Sequence, residues 1–172
     1  MIHSSLRLLQ SIMLLSKGCE HGLRSMLYLS LRENGEYVSI REIGDALDIS
    51  STFLTKVFQE LNDAGLVDSR RGRYGGVTLA REPDGITLYQ IVAAVDGESL
   101  FTECVLGLPG CGKEKPCPLH REWARQRDQL ELMFRRMTMK EMADRAIDRN
   151  IRITAEAIID EMMASEDREE QE

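Results

Sequence analysis

The segment from Cys104 to His120 constrains the fold more than any other stretch, because it cannot continue a helix. Three of the protein's four cysteines lie in it with the spacing C-x6-C-x5-C, and a histidine follows the last one at C-x2-H. Two prolines and three glycines separate the first cysteine from the last, and such residues favour an irregular loop. The sequence therefore predicts two structured regions joined by a loop that folds around a bound group.

The loop cysteines Cys104, Cys111 and Cys117 are candidate metal ligands. Thiolates are soft ligands that suit zinc or an iron–sulfur cluster. No apolar run approaches the roughly 20 residues that span a bilayer, and the first residues lack a signal-peptide pattern. We therefore expect a cytoplasmic protein with no membrane partner, in which clustered cysteines more often bind metal than form disulfides.

Residues 39–64 have the pattern of a helix-turn-helix. A capping box at 39–42 opens a helix over Ile40–Leu47, and a short turn leads to a second helix over 51–64. Apolar residues recur at helical spacing in the second helix, which leaves its polar residues on the opposite face. Since the second helix of such a motif enters the major groove, the candidate DNA contacts are Ser51, Thr52, Thr55, Lys56 and Gln59.

A basic hairpin is predicted directly after this helix. Two β-favouring runs in residues 66–79 flank a tip rich in glycine and arginine. Residues 69–81 hold four arginines and no acid, although the net charge of the chain is −7. Local charge governs phosphate contact, and much of the acidity lies in residues 160–172. We interpret the hairpin as a wing that contacts DNA through Arg70, Arg71 and Arg73, rather than as a merely solubilising turn.

The whole pattern predicts a mainly α protein with a small β-hairpin wing. A winged helix-turn-helix domain is followed by a long C-terminal dimerisation helix. The predicted parts are an N-terminal extension (1–12), the winged domain (13–98), a cysteine-rich cluster-binding loop (99–118), dimerisation helices (119–164) and an acidic tail (165–172).

The helix predicted to start near Pro118 carries an apolar stripe that includes Leu130 and Phe134. Dimerisation through this stripe would bury it and would supply the two-fold symmetry that paired DNA half-sites demand. Glutamate at Leu130 and Phe134 together should then give a monomer. In the alternative, the helix packs back on its own winged domain.

Several segments, taken in this order, resemble the IscR/NsrR-type bacterial transcription regulators, the Rrf-type iron–sulfur winged-helix family. The resemblance extends from Met13 to about Asp144. It is carried by the three-cysteine loop and by MLLSKG (13–18), GLRSMLYL (22–29), IREIG (40–44), FL (53–54), AGLV (64–67), RGRYGG (71–76), ITL (86–88) and IVAAVDG (91–97). It implies a homodimer that binds double-stranded promoter DNA and acts as a repressor or an activator under the control of an iron–sulfur cluster.

The resemblance also implies a ligand set. The three loop cysteines would hold a [2Fe–2S] or [4Fe–4S] cluster. In NsrR-like members an acidic residue of the first helix, at the position of Glu20, reaches across the dimer as the fourth ligand. In IscR-like members a histidine three residues after the last cysteine serves, at the position of His120. This sequence has both residues, so both choices stay open.

Further positions follow from the resemblance. It maps the DNA-reading side chains onto Thr52, Thr55 and Lys56, and a wing contact onto Arg71. Members that read sequence through a glutamate at the position of Thr55 differ from this chain, which has threonine there. Cys19 is a third choice for the fourth ligand, although a small buried hydrophobe is its simpler role.

Two other interpretations of the cysteine loop stay open. Three thiolates and the imidazole of His120 would also form a tetrahedral structural zinc site. Alternatively, the cysteines would form disulfides in a thiol-redox regulator. The sequence has no pattern of a catalytic triad, a phosphate-binding glycine loop or a paired-carboxylate cleft, so we do not expect an enzyme.

Overall fold

A computed structural model describes residues 14–72, 75–108 and 116–149, and this part of the chain is mainly helical with one two-stranded antiparallel hairpin. The predicted fold class, mainly α with a small hairpin wing, is confirmed. The elements are α1 (Lys17–Ser30), α2 (Ile40–Leu47), α3 (Ser51–Asp63), β1 (Val67–Arg70), β2 (Gly76–Leu79), a 3-10 turn (Pro83–Gly85), α4 (Leu88–Val95), α5 (Ser99–Thr102), α6 (His120–Arg136) and α7 (Met139–Arg149).

The turn between α2 and α3 is tight, and local chemistry explains why. The hydroxyl of Ser39 accepts the amide of Glu42 at 3.1 Å, which begins α2 as the capping box predicted. A Cβ atom on Gly44 would lie 2.6 Å from the carbonyl oxygen of Ile49. Only glycine therefore lets the turn fold back this closely, and α3 then packs its buried face on α1, α2 and α4.

The wing is attached to the segment before α2. Val67 pairs with Leu79 and Arg70 with Gly76 in the antiparallel hairpin. Val38 forms a short bridge beside the hairpin. Its amide donates to the carbonyl of Val77 at 3.0 Å, and its carbonyl accepts the amide of Val77 at 2.8 Å. These bonds hold the wing and the helix-turn-helix together as one unit.

Two hydrophobic clusters hold the described elements together. The larger one combines buried residues of α1–α4 and the hairpin with Met139 of α7. The smaller one, here called the aromatic cluster, contains Cys19, Tyr89, Val92, Phe101 and Phe134. The Phe101 ring lies 4.9 Å from that of Tyr89 and 5.6 Å from that of Phe134. The aromatic cluster thus joins α1, α4, α5 and α6.

The prediction that Phe134 faces a dimer partner is wrong, and the prediction for Leu130 stays untested. Phe134 is 6% exposed within its own chain, and Leu130 packs partly against the same aromatic cluster. The chain turns back at Thr138, and the amide of Met139 donates to the carbonyl of Ile86 at 2.8 Å. The packed-back alternative therefore describes this end of the helix, since an apolar stripe does not reveal which surface covers it.

Helix boundaries differ slightly from the sequence-based expectation. α1 begins at Lys17 because Ser16 caps it. α6 begins at His120 rather than near Pro118, and α5 lies within the segment predicted as loop. None of the helices in the described ranges is long and apolar enough to cross a membrane. Residues 1–12, the last helix beyond 149 and the acidic tail lie outside the described residues.

Phe134→Ala should lower the free energy of unfolding by about 3–5 kcal/mol, because it empties space between three packed helices. Urea denaturation followed by circular dichroism measures the change. Ile147→Ala on α7 is the matched control, since Ile147 is 52% exposed and its truncation should cost no more than about 0.5 kcal/mol. Equal effects of the two substitutions would contradict the packing of α6 described above.

Candidate cysteine site and DNA-contact surface

The structure brings two of the predicted metal ligands together. Cys104 follows α5, Cys117 precedes α6, and their sulfur atoms lie 3.9 Å apart. Cys104 is buried at 9% exposure, and Cys117 is half-buried. The third predicted ligand, Cys111, lies outside the described residues.

The end of the cysteine loop that precedes Cys104 is held by hydrogen bonds from α6. The indole Nε1–H of Trp123 donates to the carbonyl of Glu103 at 2.9 Å. The guanidinium of Arg127 donates to the carbonyl of Thr102 at 2.8 Å. The sequence analysis assigned no role to Arg127 and missed this contact. The only sequence signal for this contact was the spacing of four residues between Trp123 and Arg127, which puts both donors on one helix face.

The sulfur–sulfur distance suits a shared metal ion. Two thiolates on one tetrahedral ion, with metal–sulfur bonds of about 2.3 Å, lie roughly 3.8 Å apart. A disulfide requires about 2.05 Å. The observed 3.9 Å between Cys104 and Cys117 is too long for a bonded pair, and it fits either two ligands of one metal ion or a hydrogen bond between two thiols.

Neither candidate for the fourth ligand completes a metal site inside the described chain. Glu20 lies in the first turn of α1 and pairs with Lys17, whose Nζ is 2.9 Å from its carboxylate. His120 is the first residue of α6, and its amide donates to the carbonyl of Cys117 at 3.0 Å. Within residues 14–72, 75–108 and 116–149, no group of three His, Cys, Asp or Glu side chains has a metal-binding arrangement.

Cys19 has the properties of a core residue and not of a ligand. It is fully buried in the aromatic cluster. Burial, followed by the nearby carboxylate of Asp96, raises the pKa of Cys19 to about 12. Since the thiolate is the form that binds metals, this thiol stays protonated at neutral pH and packs as a small hydrophobe.

The first half of α1 connects the end of α4 to the recognition helix. The amide of Ser16 donates to a carboxylate oxygen of Asp96 at 2.8 Å, which ties α1 to the end of α4. Further along α1, the ring of His21 meets the ring of Phe53 edge-on, with centroids 5.4 Å apart. Burial lowers the pKa of His21, which favours the neutral ring in this contact.

The predicted DNA-reading face of α3 is exposed. Its inward face contributes four buried residues, namely Leu54, Val57, Phe58 and Leu61. The hydroxyl of Thr55 donates to the carbonyl of Ser51 at 2.8 Å, so this hydroxyl hydrogen is used within the helix. All five predicted contact residues are exposed on the outer face: Ser51, Thr52, Thr55, Lys56 and Gln59.

The wing arginines Arg70 and Arg71 are exposed, while Arg73 lies outside the described residues. The guanidinium carbon of Arg70 lies 4.2 Å from the centre of the Tyr37 ring. A cation over an aromatic face is attracted by the ring quadrupole. Tyr37, which the sequence analysis did not single out, thus supports one of the predicted phosphate contacts.

Comparison with known proteins agrees with this geometry. The family model Rrf2, described as an iron-dependent transcriptional regulator, matches residues 15–145. The chain belongs to the Rrf2 family. The identity is 35% over 92 residues with NsrR of Shouchella clausii, which covers 54% of this chain and 62% of that protein. With IscR of Escherichia coli O1:K1 / APEC, it is 30% over 131 residues, or 76% of this chain and 80% of that protein.

A solved structure supports the Rrf2 fold. CymR of B. subtilis, described as the global cysteine regulator, is 30% identical and superposes with a TM-score of 0.62 over 76% of this chain and 95% of that one. As a member of the Rrf2 family the protein is a transcriptional regulator, and regulation of transcription implies DNA binding. The named relatives are transcriptional regulators, which are not enzymes.

Replacing Arg70 and Arg71 together with alanine should weaken DNA binding and flatten its dependence on salt. The logarithm of the DNA-binding constant falls linearly as the logarithm of the salt concentration rises. Each lost phosphate contact should make this slope less negative by about 0.9. Fluorescence anisotropy with an operator duplex, measured over a series of salt concentrations, gives this slope. Arg136→Ala with Arg145→Ala removes the same charge from exposed positions on α6 and α7 and should leave the slope unchanged. If both double variants gave the same slope, the wing would not contact DNA phosphates.

Proposed function

We propose that this Rrf2 regulator binds promoter DNA as a homodimer and represses transcription under the control of an iron–sulfur cluster held by Cys104, Cys111 and Cys117. The observation that carries the proposal is the 3.9 Å separation of the Cys104 and Cys117 sulfur atoms. The description of the family as iron-dependent adds support. The exposed face of α3 and the wing supply the DNA-contact surface.

The donor set suits iron. When bound, the cluster supplies a group whose presence and oxidation state depend on iron, oxygen or nitric oxide. Two thiolates share each iron of an all-cysteine [2Fe–2S] cluster, whereas each iron of a [4Fe–4S] cluster takes only one. The short distance between Cys104 and Cys117 therefore supports the [2Fe–2S] form, which Cys104, Cys111 and Cys117 would help to hold.

The contacts of the chain support a route from the cysteines to the DNA-contact surface. Phe101, three residues before Cys104, packs in the aromatic cluster beside the first turn of α1. On α1, a Cβ atom at Gly22 would lie 3.2 Å from a methyl group of Val57 on α3. With so little space between the two helices, a displacement of α1 also displaces the recognition helix.

The two fourth-ligand candidates predict different coupling. Glu20 of the partner subunit would tie the loop of one protomer to α1 of the other, and α1 contacts α3 directly. His120 would order only the start of α6. Stronger control of DNA binding is therefore expected from a Glu20 ligand, because the bound state would fix both reading units.

The open face of α6 supports the homodimer. A shallow groove of about 660 Å³ runs along it, lined by His120, Arg121, Ala124, Arg125, Asp128, Gln129 and Leu132. Leu132 is 48% exposed, and Ala124 is small enough to let another helix approach. In an isologous contact, the arginines of one copy would face Asp128 of the other. This face replaces Leu130 and Phe134 as the proposed interface.

A thiol switch is the second candidate function. CymR of B. subtilis, described as a cysteine regulator, is similar in sequence and fold. The sulfur atoms of Cys104 and Cys117 would need to approach by about 1.9 Å to bond. Both thiols would then lose their protons, and two electrons would pass to an oxidant such as a peroxide. A structural zinc site that includes His120 is the remaining alternative.

Protein purified without oxygen should show broad visible absorbance, and Cys104→Ala or Cys117→Ala should abolish it because too few ligands remain. Cys19→Ala is the matched control and should keep the spectrum, since the Cys19 thiol is buried and protonated. A colourless wild-type protein that contains zinc would establish the zinc site. A colourless wild-type protein without metal would leave the thiol switch as the explanation. Comparing Glu20→Ala with His120→Ala, by spectrum and by operator affinity, identifies the fourth ligand.

Arginine at both Ala124 and Leu132 should give a monomer, because it adds four positive charges to a proposed interface that Arg121 and Arg125 already line. Sedimentation velocity measures the molecular mass in solution. Ile147→Arg alters an equally exposed apolar residue on α7 and should stay dimeric. A dimeric Ala124→Arg, Leu132→Arg variant would place the interface on another surface.

A further inference from the structure

We infer that Trp123 and Arg127 are positioning residues of the cysteine site, which hold Cys104 beside Cys117 before any metal is bound. The inference rests on the proposed metal-binding role of the two cysteines. It assigns a function to two α6 side chains that donate hydrogen bonds to the backbone directly before Cys104.

The contacts show how the two sulfur atoms are brought together. Trp123 and Arg127 lie one turn apart on the same face of α6. They donate to the carbonyls of Glu103 and Thr102, the two residues directly before Cys104, at 2.9 and 2.8 Å. The backbone that carries Cys104 is therefore attached directly to the helix that follows Cys117.

The acceptors explain why these donors are effective. Carbonyl groups at the end of a helix have no partners within it, and Thr102 is the last residue of α5. A guanidinium makes a charge-assisted hydrogen bond to such a carbonyl. The buried ring of Phe101 also holds α5 in the aromatic cluster. The position of Cys104 is therefore set both by this packing and by the hydrogen bonds from α6.

The other cysteine is held at the start of the same helix. The carbonyl of Cys117 accepts the amide of His120 at 3.0 Å, and the amide of Trp123 donates to Leu119 at 2.9 Å. Cys117 thus follows any movement of the first turn of α6. The same helix positions both cysteines, although they are separated by 13 positions in the sequence.

This arrangement lowers the entropy cost of binding a metal ion. Closing a flexible loop between two ligands is unfavourable, and here the closure accompanies folding instead of binding. Groups that orient metal ligands typically change metal affinity by about 10- to 100-fold when they are replaced. An effect of that size is therefore expected from the loss of either donor.

Cobalt(II) titration of the metal-free, full-length protein without oxygen tests the inference, with the thiolate-to-cobalt charge-transfer band as the signal. Trp123→Phe keeps an aromatic ring and removes the N–H donor, and Arg127→Met keeps the aliphatic length and removes the guanidinium. Each should raise the Kd for cobalt by about 10-fold or more. Arg136→Met, an exposed substitution on the same helix, should leave the Kd unchanged.

A double-mutant cycle separates positioning from general destabilisation. In a Cys104→Ala background, Trp123→Phe should have no further effect on the residual cobalt affinity, because no Cys104 sulfur remains to be placed. An unchanged Kd in both single variants, or an equal loss with and without Cys104, overturns the inference. Urea denaturation confirms that each variant is folded. Failure of the wild type to form a cluster would remove the proposed function and leave this cobalt comparison intact.

Discussion

The packing of Phe101 against Tyr89 and Phe134 is the interaction on which the arrangement of the cysteine site depends. A short helix such as α5 has too few internal hydrogen bonds to be stable alone, so its position is set by what its side chains bury. Because Phe101 inserts between α4 and α6, the chain leaves the winged domain at a fixed point. The cysteine loop and the recognition helix are consequently attached to a common core.

Much of the fold follows from local chemistry that is visible in the sequence. Ser39 caps α2 as the residue pattern predicts, and the helical spacing of apolar residues assigns the two faces of α3 correctly. The hairpin was predictable because β-favouring runs flank a glycine- and arginine-rich tip. These features depend on neighbours within a few positions, which is the range over which a single sequence is informative.

The parts that were not predicted depend on long-range partners. The stripe containing Phe134 is the same whether another chain or α5 covers it, so helical spacing alone led to the wrong partner for that residue. The hydrogen bonds of Trp123 and Arg127 end on backbone carbonyls, which every residue carries and which no side-chain pattern marks. Only the course of the chain in space reveals which carbonyls are available.

The burial of Cys19 has a consequence for how the protein meets reactive small molecules. With a pKa of about 12, its thiolate fraction at neutral pH is on the order of one in 100,000. Electrophiles and oxidants attack the thiolate of accessible cysteines, so this sulfur is chemically silent even though it lies in the same molecule as the loop cysteines. The hydrophobic interior of the protein thus shields this sulfur from reagents that attack exposed thiolates.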